Sequence, residues 1–351
     1  MTSRVSPRSS PVSPAAEHSI ALCGAGVIAG VHALAARSMG VRLAAVASRT
    51  RERAAKRAAI DPQARVVGYH ELPAGADVVV VCTPPAQHCE DALRAVGAGA
   101  TVLVEKPLTR TLAEADRLVD AGGSIVYAEN LLFAPVVRTL LQRVTTMGPL
   151  THVEVRTLQS APQWGGFLDP EWGGGVLFDL GIHPLAIAVA IGRVTGNGEV
   201  VAAEARLSGT TTDTDAEVVL VFASGFRARV IASWEGPIDG VWDVQVASAT
   251  SVVRVELRPA VALHVDGEPV ALDPPRSEVP FVEEFGYEEQ LSAAVAASRD
   301  GSLPMSDADF GRWMLEIVSA CYVSAGRAGE TIPVPSGCER RRTPWQLWRE
   351  P

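Results

Sequence analysis

The sequence predicts an α/β protein in two parts. A Rossmann-type domain with a doubly wound parallel sheet comes first, and an α+β domain with a large open antiparallel sheet follows. The first prediction rests on short segments, apolar on both faces, that alternate with Ala-, Arg- and Glu-rich helical stretches. The second rests on longer segments in which polar and apolar residues alternate, as they do in sheets with one buried face.

Five buried-strand segments define the first domain, at about residues 18–130. Their sequences are IALCG, VRLAAVAS, ADVVVVCT, TVLVEKP and SIVYAE. The helical stretches between them are VIAGVHALAARS, RERAAKRAA, AQHCEDALRAVGAG and LAEADRLVDAG. Strands that are apolar on both faces need helices on each side of their sheet, so this alternation indicates successive βαβ units.

The second domain is expected at residues 131–335. It opens with a helix over 134–147, and the alternating strands follow, from THVEVRTLQS to SVVRVELRP. Two further helical stretches are expected near 283–298 and 307–325. We expect helices on one face of this sheet and solvent or a partner subunit on the other.

The ends of the chain have a different composition. Residues 1–17 repeat Ser-Pro with no apolar core, which predicts a disordered tail. The polar, basic stretch 336–351 is expected to be loosely attached.

Charge and cysteine content narrow the function classes. The net charge of −9 disfavours nucleic acid as a partner, because an acidic surface repels phosphate. The five cysteines are scattered and odd in number, which argues against a disulfide framework or a metal site and fits a reducing compartment. No uncharged apolar run is long enough to cross a bilayer. Cytoplasm is the expected location, and an organelle transit peptide stays open as an alternative.

A glycine-rich turn follows the first strand. Gly24 and Gly26 precede Val27 and Ile28, and the small Ala29 completes a GxGxxA pattern where the first helix begins. The first glycine allows a tight turn, and the second lets the backbone approach a pyrophosphate. The free N–H groups of the helix then bind the phosphates. This context predicts a dinucleotide site.

The end of the second strand bears on which dinucleotide binds. Folds that select NAD usually place an acid about 20 residues past the glycines. This chain has Ser48 and Arg49 there, and a hydroxyl beside a guanidinium suits a 2′-phosphate. We therefore expect NADP(H) to be preferred, with NAD(H) possible. The nearby Arg51 and Arg53 are equally well explained as a solvated helix start.

Two polar clusters stand out in apolar surroundings. Lys106 lies at the end of the strand segment TVLVEKP, at the edge of the sheet where ligands bind. We expect partial burial to lower the pKa of this amine. Asp179 and His183 lie one helical turn apart in GGGVLFDLGIHPL, so they share a face if the helix is continuous.

These motifs together resemble the Gfo/Idh/MocA oxidoreductase family, which includes glucose–fructose oxidoreductase and inositol dehydrogenase. The resemblance rests on GAGVIAGVHALA, CTPPAQHCEDAL, VEKPL and GGGVLFDLGIHPL in this order, and it extends from Ile20 to about Val334. It implies a Rossmann domain followed by a substrate domain with an open sheet. One departure is Ala186, where many relatives carry a second acid three residues after the histidine.

The resemblance also assigns residues. It places the catalytic groups at Lys106, Asp179 and His183. It places cofactor contacts at Thr83, Pro84 and His88, at Glu105 and Lys106, and at Asn130. In the implied oxidation His183 takes the hydroxyl proton, Lys106 stabilises the alkoxide, and Asp179 binds substrate or orients the base. Whether Lys106 or His183 is the main acid/base stays open.

Two features of the intervening loop concern the substrate. The glycines before Asp179 are expected to let the chain pass close to the nicotinamide. Trp164 and Trp172, with Phe167, offer flat faces to a sugar ring, although packing of the loop explains them equally well.

The leading hypothesis is an NAD(P)-dependent oxidoreductase. It would act on a secondary alcohol or ketone of a sugar, cyclitol or related polyol, and would work as a homodimer or homotetramer. Two alternatives stay open. One is a cofactor-retaining glycoside hydrolase, and the other is a dinucleotide-binding sensor without turnover. Fold and motif do not name the substrate.

Overall fold

The computed structural model describes residues 18–163 and 165–350. The predicted disordered tail 1–17 therefore lies outside the described residues. Within the described part, no single helix has the length and apolarity needed to span a bilayer. One bent pair, 170–179 with 182–194, meets the criterion by length and composition alone.

The first domain is a parallel sheet, as predicted. It has six strands, because the short strand Arg65–Val67 joins the five segments identified in the sequence. Its strands are β1 (Ser19–Cys23), β2 (Arg42–Ala47), β3 (Arg65–Val67), β4 (Val78–Val81), β5 (Thr101–Glu105) and β6 (Ile125–Ala128). The helices between them are α1 (Val27–Ser38), α2 (Arg51–Ala58), α3 (Pro85–Gly97) and α4 (Leu112–Ala121). The strand order is β3-β2-β1-β4-β5-β6. The order reverses between β1 and β4, and ligands of such sheets bind in the crevice at that point.

The second domain contains a nine-stranded sheet. Its strands are β7 (Leu150–Leu158), β8 (Val200–Ser208), β9 (Asp215–Phe222), β10 (Arg227–Ser233), β11 (Val241–Ser248), β12 (Val252–Arg258), β13 (Ala262–Val265), β14 (Glu268–Pro269) and β15 (Ile332–Pro333). The order is β14-β13-β12-β11-β7-β10-β9-β8-β15. The predicted open antiparallel sheet is confirmed with one difference. The pair β7–β10 is parallel, whereas β7 pairs antiparallel with β11 on its other side.

The helices of the second part are α5 (Pro135–Val144), α6 (Val176–Asp179), α7 (Ile182–Val194), α8 (Pro280–Glu284), α9 (Tyr287–Asp300), α10 (Ala308–Gly326) and α11 (Pro344–Arg349). Helices α7 and α10 pack against the large sheet, while α9 packs against α1 of the first domain. The other face of the sheet carries ion pairs between neighbouring strands, among them Arg156–Asp243, Arg229–Glu154 and Arg229–Glu217.

The C-terminal stretch differs from its expected loose attachment. The Arg340 guanidinium binds Asp116 and the buried Glu316, and the Thr343 hydroxyl caps the start of α11. Trp345 donates its indole N–H to the Thr211 carbonyl at 2.8 Å, and Leu347 is buried. The polar composition of this stretch serves specific contacts with the folded domains.

Candidate active site

The glycine turn after β1 has the geometry that a pyrophosphate needs. Gly24 has φ +116°, and a Cβ there would lie 2.7 Å from the carbonyl carbon and oxygen of Cys82. Gly26 is exposed with open space around it, and it begins α1 without a side-chain cap. Val27 is 52% exposed beside it, and Ile28 is half-buried. The first turn of α1 therefore presents free N–H groups to an open surface, so these residues fit a dinucleotide.

Arg57 of α2 also belongs to this turn and was not predicted. Its Nε donates to the Gly26 carbonyl at 3.1 Å. A Cβ on Gly30 would lie 2.4 Å from Nη1 of Arg57. The sequence signal for this contact is Gly30, a glycine inside a helix, which costs about 1 kcal/mol of helix stability relative to alanine and so needs a reason. Arg57 supplies that reason and brings a positive charge to the phosphate turn.

Ser48 and Arg49 lie at the carboxyl end of β2, where an adenosine ribose would be bound. The Ser48 hydroxyl accepts from the Thr50 N–H at 3.3 Å, and Arg49 is exposed. Their contact with a 2′-phosphate stays a prediction.

The loop after β4 differs from expectation at His88. Its ring is buried, with Nε2 2.6 Å from the Thr83 carbonyl and Nδ1 2.9 Å from the Pro107 carbonyl. Burial lowers the pKa of this imidazole, and the bonds to the two carbonyls partly oppose that effect. Neither ring nitrogen is left for a cofactor, so His88 braces the β4 loop against the β5 loop.

The neighbours of His88 have different roles. The Thr83 hydroxyl donates to Asp91 at 2.8 Å and is already engaged within the protein. Pro84 is half-buried at the start of α3. Any cofactor contact in this loop therefore falls to Pro84 and to the backbone.

Asn130 is likewise engaged within the protein. Its side-chain amide is buried and donates to the Phe285 carbonyl at 2.8 Å. Gly286, with φ +79°, packs so closely that a Cβ would lie 2.4 Å from the Asn130 carbonyl oxygen. These contacts fix the start of α9, and the cofactor contact of Asn130 stays a prediction.

Lys106 and Asp179 form an ion pair between the two domains. The Lys106 ammonium donates to Asp179 Oδ1 at 2.6 Å and to the Asp179 carbonyl at 3.1 Å. Burial by itself would lower the pKa of Lys106. The Asp179 carboxylate and its hydrogen bond, with Glu105 and Glu129 nearby, raise the pKa overall. The expectation of a lowered pKa was wrong, because the carboxylates outweigh desolvation.

His183 has a different partner, Glu129, which was not predicted. The two are 2.7 Å apart between Nδ1 and Oε1, and Glu129 is fully buried. The expected continuous helix is broken: α6 ends at Asp179, α7 begins at Ile182, and the helical stretch Pro170–Asp179 meets Ile182–Val194 at 49°. Asp179 and His183 therefore turn to separate partners. The sequence does carry a signal for Glu129: it is a carboxylate directly after β6, at the edge of the sheet where Lys106 also lies.

Glu105 is held by the protein itself. Its Oε1 lies 2.8 Å from Nε2 of the fully buried His32, and its Oε2 accepts from the Lys106 N–H at 3.0 Å. Burial would raise the pKa of Glu105, but the bond and charge of His32, with the charge of Lys106, lower it overall. The carboxylate therefore places a negative charge beside the Lys106 amine, and its contact with the cofactor stays a prediction.

The glycines before Asp179 serve packing inside the second domain. A Cβ on Gly175 would lie 2.2 Å from the Asp213 carbonyl oxygen, and one on Gly174 would meet the Tyr322 hydroxyl at 2.7 Å. The buried Asp213 carboxylate accepts from the N–H groups of Gly175 and Leu177 and from the Tyr322 hydroxyl. Asp213 thus fixes the start of α6, and with it the position of Asp179.

Aromatic side chains lie in the loop before α6 and next to His183. Trp164 lies outside the described residues. Trp172 is half-buried and packs on Phe167, with ring centres 4.9 Å apart, which favours the loop-packing explanation. Trp242 lies beside the site, with its ring centred 5.8 Å from the His183 imidazole. Sequence inspection missed Trp242, because it belongs to an ordinary-looking strand.

The fold and the site together define a class of protein. A Rossmann domain with an open glycine turn supplies Lys106. A second domain brings Asp179 and His183 to the carboxyl edge of the Rossmann sheet. This is a two-domain dinucleotide-binding protein with an acid/base cluster at the domain junction. Among the described residues, no group of three His, Cys, Asp or Glu side chains could hold a metal ion.

Comparison with known families agrees with this class. Residues 18–123 match the NAD-binding Rossmann fold of the GFO_IDH_MocA oxidoreductase family, and residues 137–247 match the GFO/IDH/MocA C-terminal domain. The chain belongs to the Gfo/Idh/MocA oxidoreductase family.

Individual relatives share a modest sequence identity with this chain. D-glucoside 3-dehydrogenase of Escherichia coli is 35% identical over 37% of this chain and 38% of its own. D-xylose 1-dehydrogenase (NADP(+)) 2 of Haloferax volcanii is 27% identical over 71% and 78%. GenD2 from gentamicin A biosynthesis, solved in complex with NAD, superposes with a TM-score of 0.79 at 25% identity, covering 94% of this chain and 99% of that one. The chain matches less than half the length of the relatives at 35% identity.

Proposed function

We propose that the protein is an NAD(P)-dependent dehydrogenase or reductase of a secondary alcohol or ketone in a sugar, cyclitol or related polyol. The observation that carries the proposal is the meeting of Lys106–Asp179 with His183–Glu129 beside an open dinucleotide turn. A protein that only bound a dinucleotide would have no use for a paired ammonium and a carboxylate-oriented imidazole at this place. A sugar dehydrogenase among the relatives supports the substrate class.

His183 and Lys106 have different roles in the proposed reaction. Glu129 Oε1 lies 2.7 Å from Nδ1 of His183, so a neutral imidazole that donates from Nδ1 has Nε2 free to take a hydroxyl proton. Lys106 stays protonated because Asp179 raises its pKa, so its ammonium stabilises the developing alkoxide. When bound, the nicotinamide accepts or supplies the hydride. This division favours His183 as the acid/base and Lys106 as the electrostatic group.

A sugar and cyclitol panel tests the proposal. Absorbance at 340 nm is followed with NAD and with NADP, in both directions. Turnover of at least one polyol is expected, and Lys106→Ala should abolish it while leaving cofactor affinity intact. Release of a leaving group without net cofactor reduction would instead identify the glycoside hydrolase. An unchanged biological effect after replacing Lys106, Asp179 and His183 together would identify the sensor.

NADP as the preferred cofactor is part of the proposal. Ser48 and the exposed Arg49 support it, as does the NADP-linked relative. Arg49→Ala should weaken NADP binding far more than NAD binding in calorimetric titration, whereas Arg53→Ala, further along α2, should change neither. An equal loss of both affinities on replacing Arg49 would contradict the preference.

Assembly and location complete the proposal. A homodimer or homotetramer is supported by the wide outer face of the nine-stranded sheet, with its array of charged side chains. A monomer in light scattering would contradict it. A cytoplasmic location is supported by five free cysteines, since a reducing compartment keeps thiols unpaired. Recovery in a secreted fraction would contradict it.

A further inference from the structure

Arg258 lies at the end of β12, next to Trp242. Trp242 pairs with Arg258, whereas Asp243 pairs with Glu256, so Leu257 is an extra residue on β12. Such a β-bulge reverses the alternation of side chains and re-aims the residue that follows. Without it Arg258 would join Arg254 and Glu256 on the charged outer face. The bulge places it on the same face as Trp242.

The Arg258 guanidinium sits among aromatic rings beside the acid/base cluster. Its carbon lies 5.3 Å from the centre of the Trp242 ring and 5.6 Å from that of Phe285. Trp242 in turn stacks near His183, with ring centres 5.8 Å apart. One aromatic side chain therefore separates this cation from the imidazole that would take the substrate proton.

Arg258 has no counter-charge in the described part of the chain. No carboxylate there lies within ion-pair distance of it, and its buried Nε has no hydrogen-bond partner. Several other half-buried arginines are paired with carboxylates, Arg156 with Asp243, Arg193 with Glu199 and Arg340 with Asp116, while Arg57 and Arg110 donate to backbone carbonyls. A partly desolvated guanidinium without such a partner is costly, so its position beside Trp242 needs a reason.

In the described part of the chain, two unpaired hydrogen-bond donors lie near His183, whereas the unpaired Oε2 of Glu129, an acceptor, belongs to the carboxylate that already binds the imidazole. The Trp242 indole N–H is also buried without a partner among the described residues, like Nε of Arg258. Arginine and tryptophan side chains only donate, so the group that completes them is rich in acceptors. A carboxylate or a phosphate matches the fork of a guanidinium in both shape and charge.

We propose that Arg258 binds an anionic group of the substrate, so that the protein acts on an acidic sugar or a sugar phosphate. This inference rests on the proposed redox function and names the chemical class of its substrate. Arg258 selects the substrate by pairing with its carboxylate or phosphate, and Trp242 supplies a second donor. A neutral polyol would leave the guanidinium unpaired and would bind more weakly.

Binding to the cofactor-loaded protein tests this by calorimetry, with D-glucuronate, D-glucose 6-phosphate and D-glucose as probes. We expect at least one anion to bind roughly tenfold or more tighter than glucose. Arg258→Met should remove that preference, and Arg258→Lys should retain part of it. The two anionic probes distinguish a carboxylate from a phosphate.

Arg254→Met is the matched control, because Arg254 is on the same strand but pairs with Asp243 and Glu256 on the outer face. It should leave the anion preference unchanged. Unchanged cofactor affinity and circular dichroism show that Arg258→Met has folded. Three results would each overturn the inference. They are binding of glucose as tight as that of the anions or tighter, a preference for an anion over glucose that survives in Arg258→Met, and no binding of either anion. Turnover of neutral polyols alone would overturn it while leaving the redox function intact.

Discussion

The Lys106 ammonium lies 2.6 Å from Asp179 Oδ1, joining the end of β5 to the end of α6 across the domain junction. The pair does more than hold two domains together. Burial works against the charge on Lys106, and the carboxylate outweighs it. The protonation state of the amine is therefore set by a residue 73 positions away in the sequence.

Asp179→Asn should shift the alkaline limb of the kcat/KM profile to lower pH. The raised pKa keeps Lys106 protonated above its ordinary range, and removing the nearest carboxylate lets burial lower that pKa. Rates measured across the neutral and alkaline range check this. Asp120→Asn, at an exposed position on α4, should leave the profile unchanged. An alkaline limb that stays in place would show that Lys106 does not set it.

Glu129→Gln should lower kcat roughly 10²-fold or more while cofactor affinity stays the same. A glutamine can donate to Nδ1 of His183 and hold the ring in the tautomer that has no free acceptor at Nε2. Glu129→Asp, which keeps the charge, should recover part of the rate. Equal losses in the two variants, with altered KM for the cofactor, would indicate a purely structural role.

Two glycine substitutions should separate folding from cofactor binding. Gly24→Ala combines φ +116° with a contact of 2.7 Å to the Cys82 carbonyl, so it should cost about 1–3 kcal/mol of unfolding free energy. Gly26→Ala has open space and a negative φ, so stability should hold while dinucleotide affinity falls. Denaturant unfolding and calorimetric titration check the pair. Unweakened cofactor binding in Gly26→Ala would place the pyrophosphate elsewhere.

Tyr322→Phe should lower the free energy of unfolding by about 1–3 kcal/mol, because Asp213 loses a donor at 2.7 Å in a buried site. Burial already raises the pKa of Asp213, against the opposing effect of its hydrogen bonds. The folded state therefore penalises the ionised form. The loss of unfolding free energy in Tyr322→Phe should be full at pH values where Asp213 is ionised. It should shrink as pH falls through the pKa of Asp213 in the folded state.

Tyr127→Phe is the control for that variant. The Tyr127 ring is fully buried, and its hydroxyl has no hydrogen-bond partner within the described residues. Removing it should leave stability unchanged or slightly higher at every pH. A larger loss in Tyr127→Phe than in Tyr322→Phe would contradict the role given to Asp213.

The sequence by itself determined the two-domain fold and the glycine turn, and it selected Lys106, Asp179 and His183 as candidate catalytic residues. Each depends on patterns within one short segment, such as hydrophobic periodicity, a strand–turn–helix context or a family motif. Such patterns also fix which edge of a parallel sheet a side chain occupies, because strand direction follows from the alternation of elements.

Only the tertiary structure decided which groups meet. His183 pairs with Glu129 from 54 positions away, Asp213 fixes α6 from beyond β8, and a one-residue bulge turns Arg258 toward Trp242. The pKa of Lys106 was mispredicted for the same reason. Its sign depends on distances to three carboxylates contributed by three different segments. Local propensity carries no information on such distances, because they are set by how whole elements pack.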